Sequence, residues 1–157
     1  MSHSQDTAIE SINLPFAERR QARILATQCL YSMNFIPNSM KSIPEIIADV
    51  LTYGLTENES LDQEYFLNLI NKTYNNIDSL RKHIQKYLAK NWEIKRLPEP
   101  IQAILTLAAY EIIYNPEVSV PIIINEYIEI TRVFNHSGET GFINSVLDKI
   151  SKEFPRG

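Results

Sequence analysis

Arg19, Arg20 and Arg23 stand close together in the stretch "AERRQARILATQCLYS". On a helix, residues three and four apart share a surface, so these three read as one broad cationic face. Gln21 lies among them and adds a donor and an acceptor. Guanidinium groups make two-pronged contacts to phosphate oxygens and stack on bases. At the expected start of a helix they oppose the dipole, which favours an anion there. Glu18 is the only adjacent acid. The arrangement points to an external polyanion, with nucleic-acid phosphate as the natural candidate.

No competing chemistry emerges from the rest of the chain. His3, His83 and His136 are isolated, and no HExxH motif, cysteine pair or ligand-spaced carboxylate cluster is present. No glycine-rich phosphate loop and no nucleophile-elbow pattern occurs. Cys29 falls on an apolar helical stripe and reads as a small core hydrophobe. The sequence therefore predicts a protein without catalytic residues, metal or cofactor.

The chain has 157 residues, of which 44% are hydrophobic, enough for one core. Its apolar runs are shorter than the roughly 20 residues that span a membrane. The first fifteen residues lack the pattern of a secretory signal. A single cysteine fits a reducing compartment, so a cytoplasmic location is expected. The net charge is −4, but the charges are segregated. Residues 42–71 hold six acids and no base; residues 72–96 hold seven bases and two acids, a surplus of five positive charges; residues 97–131 hold five acids and no base. Local fields of both signs follow. The acidic segments suit docking of a basic protein.

These groups must be positioned by helices. Residues 1–15 are aperiodic, end at Pro15 and read as a flexible tail before a domain spanning 16–157. From Phe16, Ala22, Leu25, Ala26, Cys29, Leu30 and Met33 recur at helical spacing, and "IPNS" marks the end. Further helices are predicted at 44–53, stopped by Gly54, and at 61–75. Asp78 reads as the cap of a helix through about Trp92, with Ile84, Tyr87, Leu88 and Trp92 inward and Lys82, Lys86 and Lys90 as an outward basic stripe. Residues 101–114 are apolar almost all round and belong at the centre of a bundle. Helices over 121–134 and 142–154 complete an all-α fold of about seven helices with short connections.

Taken together, "RRQARILATQCLYSMNF", "NWEIKRLPEPIQAILTLAAYEIIYNPEVSVPIIINEYIEITRVF" and "FINSVLDKI" resemble the NusB family of bacterial transcription antitermination factors. The resemblance runs from Arg19 to Ile150 and implies two small helical bundles packed together. It also implies binding of boxA-like single-stranded RNA in ribosomal RNA operon leaders, jointly with the ribosomal protein NusE. The resulting complex carries RNA polymerase past terminators. By position, Arg19, Arg20, Gln21 and Arg23 fall on the family's arginine-rich RNA motif, and Phe134 and Phe142 on aromatics bordering the RNA path. Tyr31 matches a tyrosine that helps contact NusE.

Ile101 and Gln102 occupy positions where relatives carry an acid and a base at the NusE contact, so Ile101 is read as an apolar contact instead. Thr106 replaces a common arginine, and Gly138 and Gly141 replace charged residues. Some relatives form homodimers that cover the RNA face, and the sequence leaves monomer and dimer equally open. Two rival readings follow: a protein-interaction adaptor of the same fold with weakened RNA or NusE binding, and a domain related to those fused to ribosomal RNA methyltransferases.

Overall fold

A computed structural model describes residues 3–35, 42–55 and 60–156. Among them are seven α-helices and no strand: α1 (His3–Phe35), α2 (Ile43–Tyr53), α3 (Gln63–Asn75), α4 (Ile77–Gln85), α5 (Glu99–Tyr114), α6 (Val120–Val133) and α7 (Thr140–Glu153). Short 3-10 turns lie at Ile94–Arg96 and Ser137–Glu139. The fold is all-α, as the periodicity requires.

α5 organises the molecule. Every residue from Ile101 to Ile112 is buried, and the helix packs against α1, α3, α4, α6 and α7. Pro98 and Pro100 suit its entry, because the first turn needs no backbone donors. α1 packs with α2 and α3, while α4 and α6 pack with α7; α5 touches both groups and joins them into one core. Ala22, Leu25, Ala26, Cys29 and Leu30 of α1 are all in that core. Burial pushes the Cys29 thiol up to about 12, so it stays protonated and inert.

Buried polar groups are satisfied locally. Thr27, Thr106 and Thr131 each donate to the carbonyl four residues back, at 2.7–2.8 Å. Thr106, where an arginine is common by resemblance, is thus a core residue. Arg156 closes the other end of α5: its guanidinium donates to the carbonyls of Glu111, Ile112 and Asn115 at 2.7–2.9 Å and to that of Val118. A cation at a helix C-terminus meets the otherwise unpaired carbonyls there.

Two elements depart from the sequence reading. First, α1 begins at His3, so residues 3–15, expected as a tail, are helical. Pro15 lies inside this helix, which forfeits one backbone hydrogen bond there. The "IPNS" stop falls outside the described residues. Second, α4 is capped by Asn76, not Asp78, and ends at Gln85. Asp78 sits in the first turn, where its charge favours the dipole. The chain leaves α4 through tight turns, with Tyr87 N–H bonded to the Ile84 carbonyl and Leu88 N–H to that of Gln85. The Gln85 amide then fixes the loop, donating to the Trp92 carbonyl at 2.6 Å and accepting from Ile94 N–H at 3.0 Å. Ile84 and Leu88 are buried as expected, but Trp92 is 55% exposed. The lysine stripe is broken: Lys90 is off the helix, and Lys86 pairs with Glu153 at 2.9 Å.

Gly54 closes α2 as predicted and donates to the Val50 carbonyl at 2.8 Å. A Cβ there would stand 2.5 Å from that oxygen and 2.6 Å from Leu25 Cδ2. Gly54→Ala should therefore lower stability by about 1–3 kcal/mol, a typical overpacking cost. The midpoint of urea unfolding checks this, with Gly141→Ala as a control expected to be neutral, since nothing crowds its Cβ.

Candidate nucleic-acid interface

The three arginines of α1 divide into two environments. Arg23 is 3% exposed and faces α5. Its Nε donates to Glu111 Oε2 at 2.8 Å and its Nη2 to Glu111 Oε1 at 3.0 Å, a two-pronged ion pair with both partners buried. Its Nη2 also reaches the Tyr65 hydroxyl at 2.9 Å. Tyr127 donates to Glu111 Oε2 at 2.5 Å, Tyr65 donates to Oε1, and Asn115 Nδ2 donates to the Tyr65 hydroxyl at 3.0 Å. Burial works against the Arg23 charge, but the Glu111 carboxylate outweighs it and holds the guanidinium above its ordinary value. Burial, reinforced by the Glu111 charge, raises both Tyr65 and Tyr127, so both stay hydroxyl donors.

Arg23 is therefore a cross-link between α1 and α5, not a surface contact for a ligand. This corrects the grouping of all three arginines on one RNA face. The physical reason is register. Arg23 precedes buried Ala26, Thr27 and Leu30 by three, four and seven residues, so it points where the apolar stripe points.

Arg19 and Arg20 remain on the surface, with side chains 45% and 48% exposed. Arg20 makes a two-pronged pair with Glu126 of α6, at 2.8 and 2.9 Å, and that bond raises its pKa. Arg19 lies 3.8 Å from Asp62, the cap of α3, and its guanidinium carbon is 5.1 Å from the Tyr65 ring centre. Exposed pairs of this kind are worth about 0–1 kcal/mol, so an incoming phosphate can take the carboxylate's place. The dipole argument does not survive: α1 starts at His3, so the arginines are far from its N-terminus. Around them lie groups that the arginine motif alone does not reveal. Exposed Phe16 and Ile122 flank a depression shared with Arg19 and Glu126. A cavity of about 270 Å³ on the other side is bordered by Arg19, Tyr65, Asn68, Lys72, Tyr114 and Asn115.

The other sequence-selected residues scatter. Gln21 is half-buried beside the arginines. Tyr31 is half-buried and lies eleven residues along α1 from Arg20, about 16 Å at the helical rise. Phe134 and Phe142, at the end of α6 and the start of α7, are half-buried and pack on the core with one edge outward. Ile101 and Gln102 are 0% and 5% exposed. Gln102 Nε2 donates to the carbonyls of Lys95 and Leu97 at 3.2 and 2.7 Å, tying the 3-10 turn to α5. Both were expected at a partner contact; the all-round burial of α5 overturns that. Glu111, counted in an acidic docking segment, is likewise internal.

Among the described residues, no group of three or more His, Cys, Asp or Glu could hold a metal ion, and no helix is long and apolar enough to cross a membrane.

Comparison with known proteins accounts for this arrangement. A family model described as the NusB family matches residues 20–152. The transcription antitermination protein NusB of Caulobacter vibrioides is 32% identical over 138 residues, covering 86% of this chain and 93% of the relative. That of Buchnera aphidicola subsp. Cinara cedri is 38% identical over 136 residues, covering 85% and 90%. T. maritima NusB superposes with a TM-score of 0.72 at 26% identity, covering 87% of this chain and 93% of that one. A crystal structure of antitermination factors NusB and NusE in complex with dsRNA shares the fold, with a TM-score of 0.74 at 21% identity. With the matched family model spanning nearly the whole helical fold, and relatives of this identity over almost their full length, the chain belongs to the NusB family.

Proposed function

We propose that this chain is a cytoplasmic transcription antitermination factor that binds boxA-like single-stranded RNA in ribosomal RNA operon leaders together with the ribosomal protein NusE, promoting read-through by RNA polymerase. The observation that carries the reading is the pair of adjacent surface guanidiniums, Arg19 and Arg20, held by carboxylates that are weak enough to exchange. Arg19 and Arg20 take phosphate oxygens, with Gln21 beside them. Phe134 and Phe142 border the strand further on and offer their outward edges to bases. Phosphate contacts position a strand without specifying it, so base choice falls to other groups and to the partner. Tyr31 belongs to the NusE contact. No catalytic step is part of this reading.

Two phosphate contacts give modest affinity, and a second protein sharing the RNA raises it by linking two weak events. A titration of labelled leader RNA tests this. Binding by the chain alone should be weak, and NusE should tighten it by about tenfold or more. Absence of RNA binding in both arms contradicts the reading.

One observation favours an adaptor instead: each arginine already has a carboxylate partner within the chain. An adaptor would bind NusE with equal affinity in the presence and absence of RNA. Homodimerisation over the arginine face would show as RNA competing with self-association.

A further inference from the structure

The basic segment 72–96 and the exposed Trp92 have no role in the account so far. They meet at one place. A cleft of about 420 Å³ lies between the loop after α4, the entry of α5 and the start of α7, lined by Ala89, Trp92, Leu97, Pro98, Glu139 and Phe142 among others. Its walls are apolar and partly aromatic, and the cationic side chains of Lys90, Lys95 and Arg96, adjacent in sequence to Ala89 and Leu97, are exposed. The indole is presented on a fixed loop. Asn91 takes a left-handed conformation (φ 75°), Trp92 N–H bonds to the Ala89 carbonyl at 2.9 Å, and Gln85 holds the Trp92 carbonyl. A large apolar side chain on a pinned backbone, left 55% exposed, is a surface prepared for a flat partner. Aromatic walls beside basic residues are the chemistry that stacks unpaired bases and tracks their phosphates.

We propose that this cleft receives one unpaired base of single-stranded RNA, stacked against Trp92, and that Glu139 favours a base carrying an exocyclic amine. The inference rests on the RNA-binding reading above and extends it to a site remote from Arg19 and Arg20. Glu139, on the turn before α7, is the carboxylate among the lining residues and also faces His136 Nδ1 at 3.6 Å. A carboxylate accepts from the amine of cytosine and meets only an oxygen at the same position of uracil. Lys90, Lys95 and Arg96 supply the positive field that an apolar side chain of a protein partner would not need, which selects a nucleic acid as the occupant.

Trp92 is the chain's single tryptophan, so its fluorescence reports the cleft directly. Leader RNA binding is followed by anisotropy of the labelled RNA and by Trp92 emission in the same titration. The emission should be quenched in step with anisotropy. Trp92→Ala should weaken binding about fivefold or more, with Trp92→Phe recovering most of the loss. Cytidine homopolymers should bind about threefold or more tighter than uridine homopolymers, and Glu139→Gln should remove that preference. If anisotropy reports binding while Trp92→Ala binds as tightly as the unaltered chain, the base site is wrong and the RNA reading stands. Equal binding of the two homopolymers overturns the role of Glu139. Quenching by NusE without RNA assigns the cleft to a protein side chain and overturns the proposal. If anisotropy detects no RNA binding at all, both the proposal and the reading beneath it fail.

Discussion

Glu111→Ala is expected to destabilise the fold by about 3–5 kcal/mol, because it leaves the Arg23 charge buried without its counter-ion. It also strips the acceptor from Tyr65 and Tyr127, which both donate to that carboxylate. Against a total stability of about 5–15 kcal/mol for a domain of this kind, such a loss is close to unfolding. Urea denaturation of the single and double variants checks it. Arg23→Ala should be damaging for the mirror-image reason, since it leaves a buried carboxylate. The two losses should not add: once one partner is gone, removing the other relieves an uncompensated charge. A double variant whose loss equals the sum of the singles would show that the pair is not coupled.

This network also decides how the RNA-binding reading can be tested. A triple arginine replacement mixes loss of fold with loss of contact, because Arg23 belongs to the core. Arg19→Ala combined with Arg20→Ala separates them. Its expected cost in stability is about 1 kcal/mol or less per ion pair. Its expected cost in RNA affinity is far larger. Charge-assisted contacts contribute about 1.5 kcal/mol each at the low end, so two amount to about 100-fold at low salt. The cost should shrink as salt rises and screens the contacts. The folded content of the double variant, read by thermal unfolding, should match that of the unaltered chain within a few degrees.

How much of this was legible in the sequence depends on the kind of signal. Helices α2, α3, α5, α6 and α7 could be read because each carries a strong 3.6-residue stripe or, in α5, apolar residues all round. The placement of α5 at the centre followed from the same fact. α1 was read short because residues 3–15 show no stripe and Pro15 resembles a boundary; backbone hydrogen bonding alone continues the helix there. α4 was read long because Leu88 and Trp92 keep helical spacing after Ile84, although the chain turns at Gln85. Spacing does not register the side-chain amide that fixes such a turn.

The site was legible in part. Arg19 and Arg20 were placed on the surface correctly. The burial of Arg23 had a signal that the motif obscured: it shares the apolar stripe with Ala26 and Leu30. Glu111 had a matching one, as the sole charged residue between Ile101 and Tyr114. Two lone opposite charges on two core-facing stripes must find each other, since neither survives burial unpaired. Ile101 and Gln102 were misplaced for the converse reason. Their positions suggested a contact by resemblance, while the all-apolar pattern of their own helix already required burial. The cleft at Trp92 depends on where the loop after α4 goes, and no local pattern encodes that.

The most direct test of the central claim is the salt dependence of leader-RNA binding by the chain and by its Arg19→Ala, Arg20→Ala double variant. Each phosphate neutralised on a single strand contributes about 0.7 to the slope of log affinity against log salt. The account predicts that the double variant loses about 1.4 from that slope while remaining folded. An unchanged slope and affinity would mean that Arg19 and Arg20 keep their carboxylate partners and never touch the RNA.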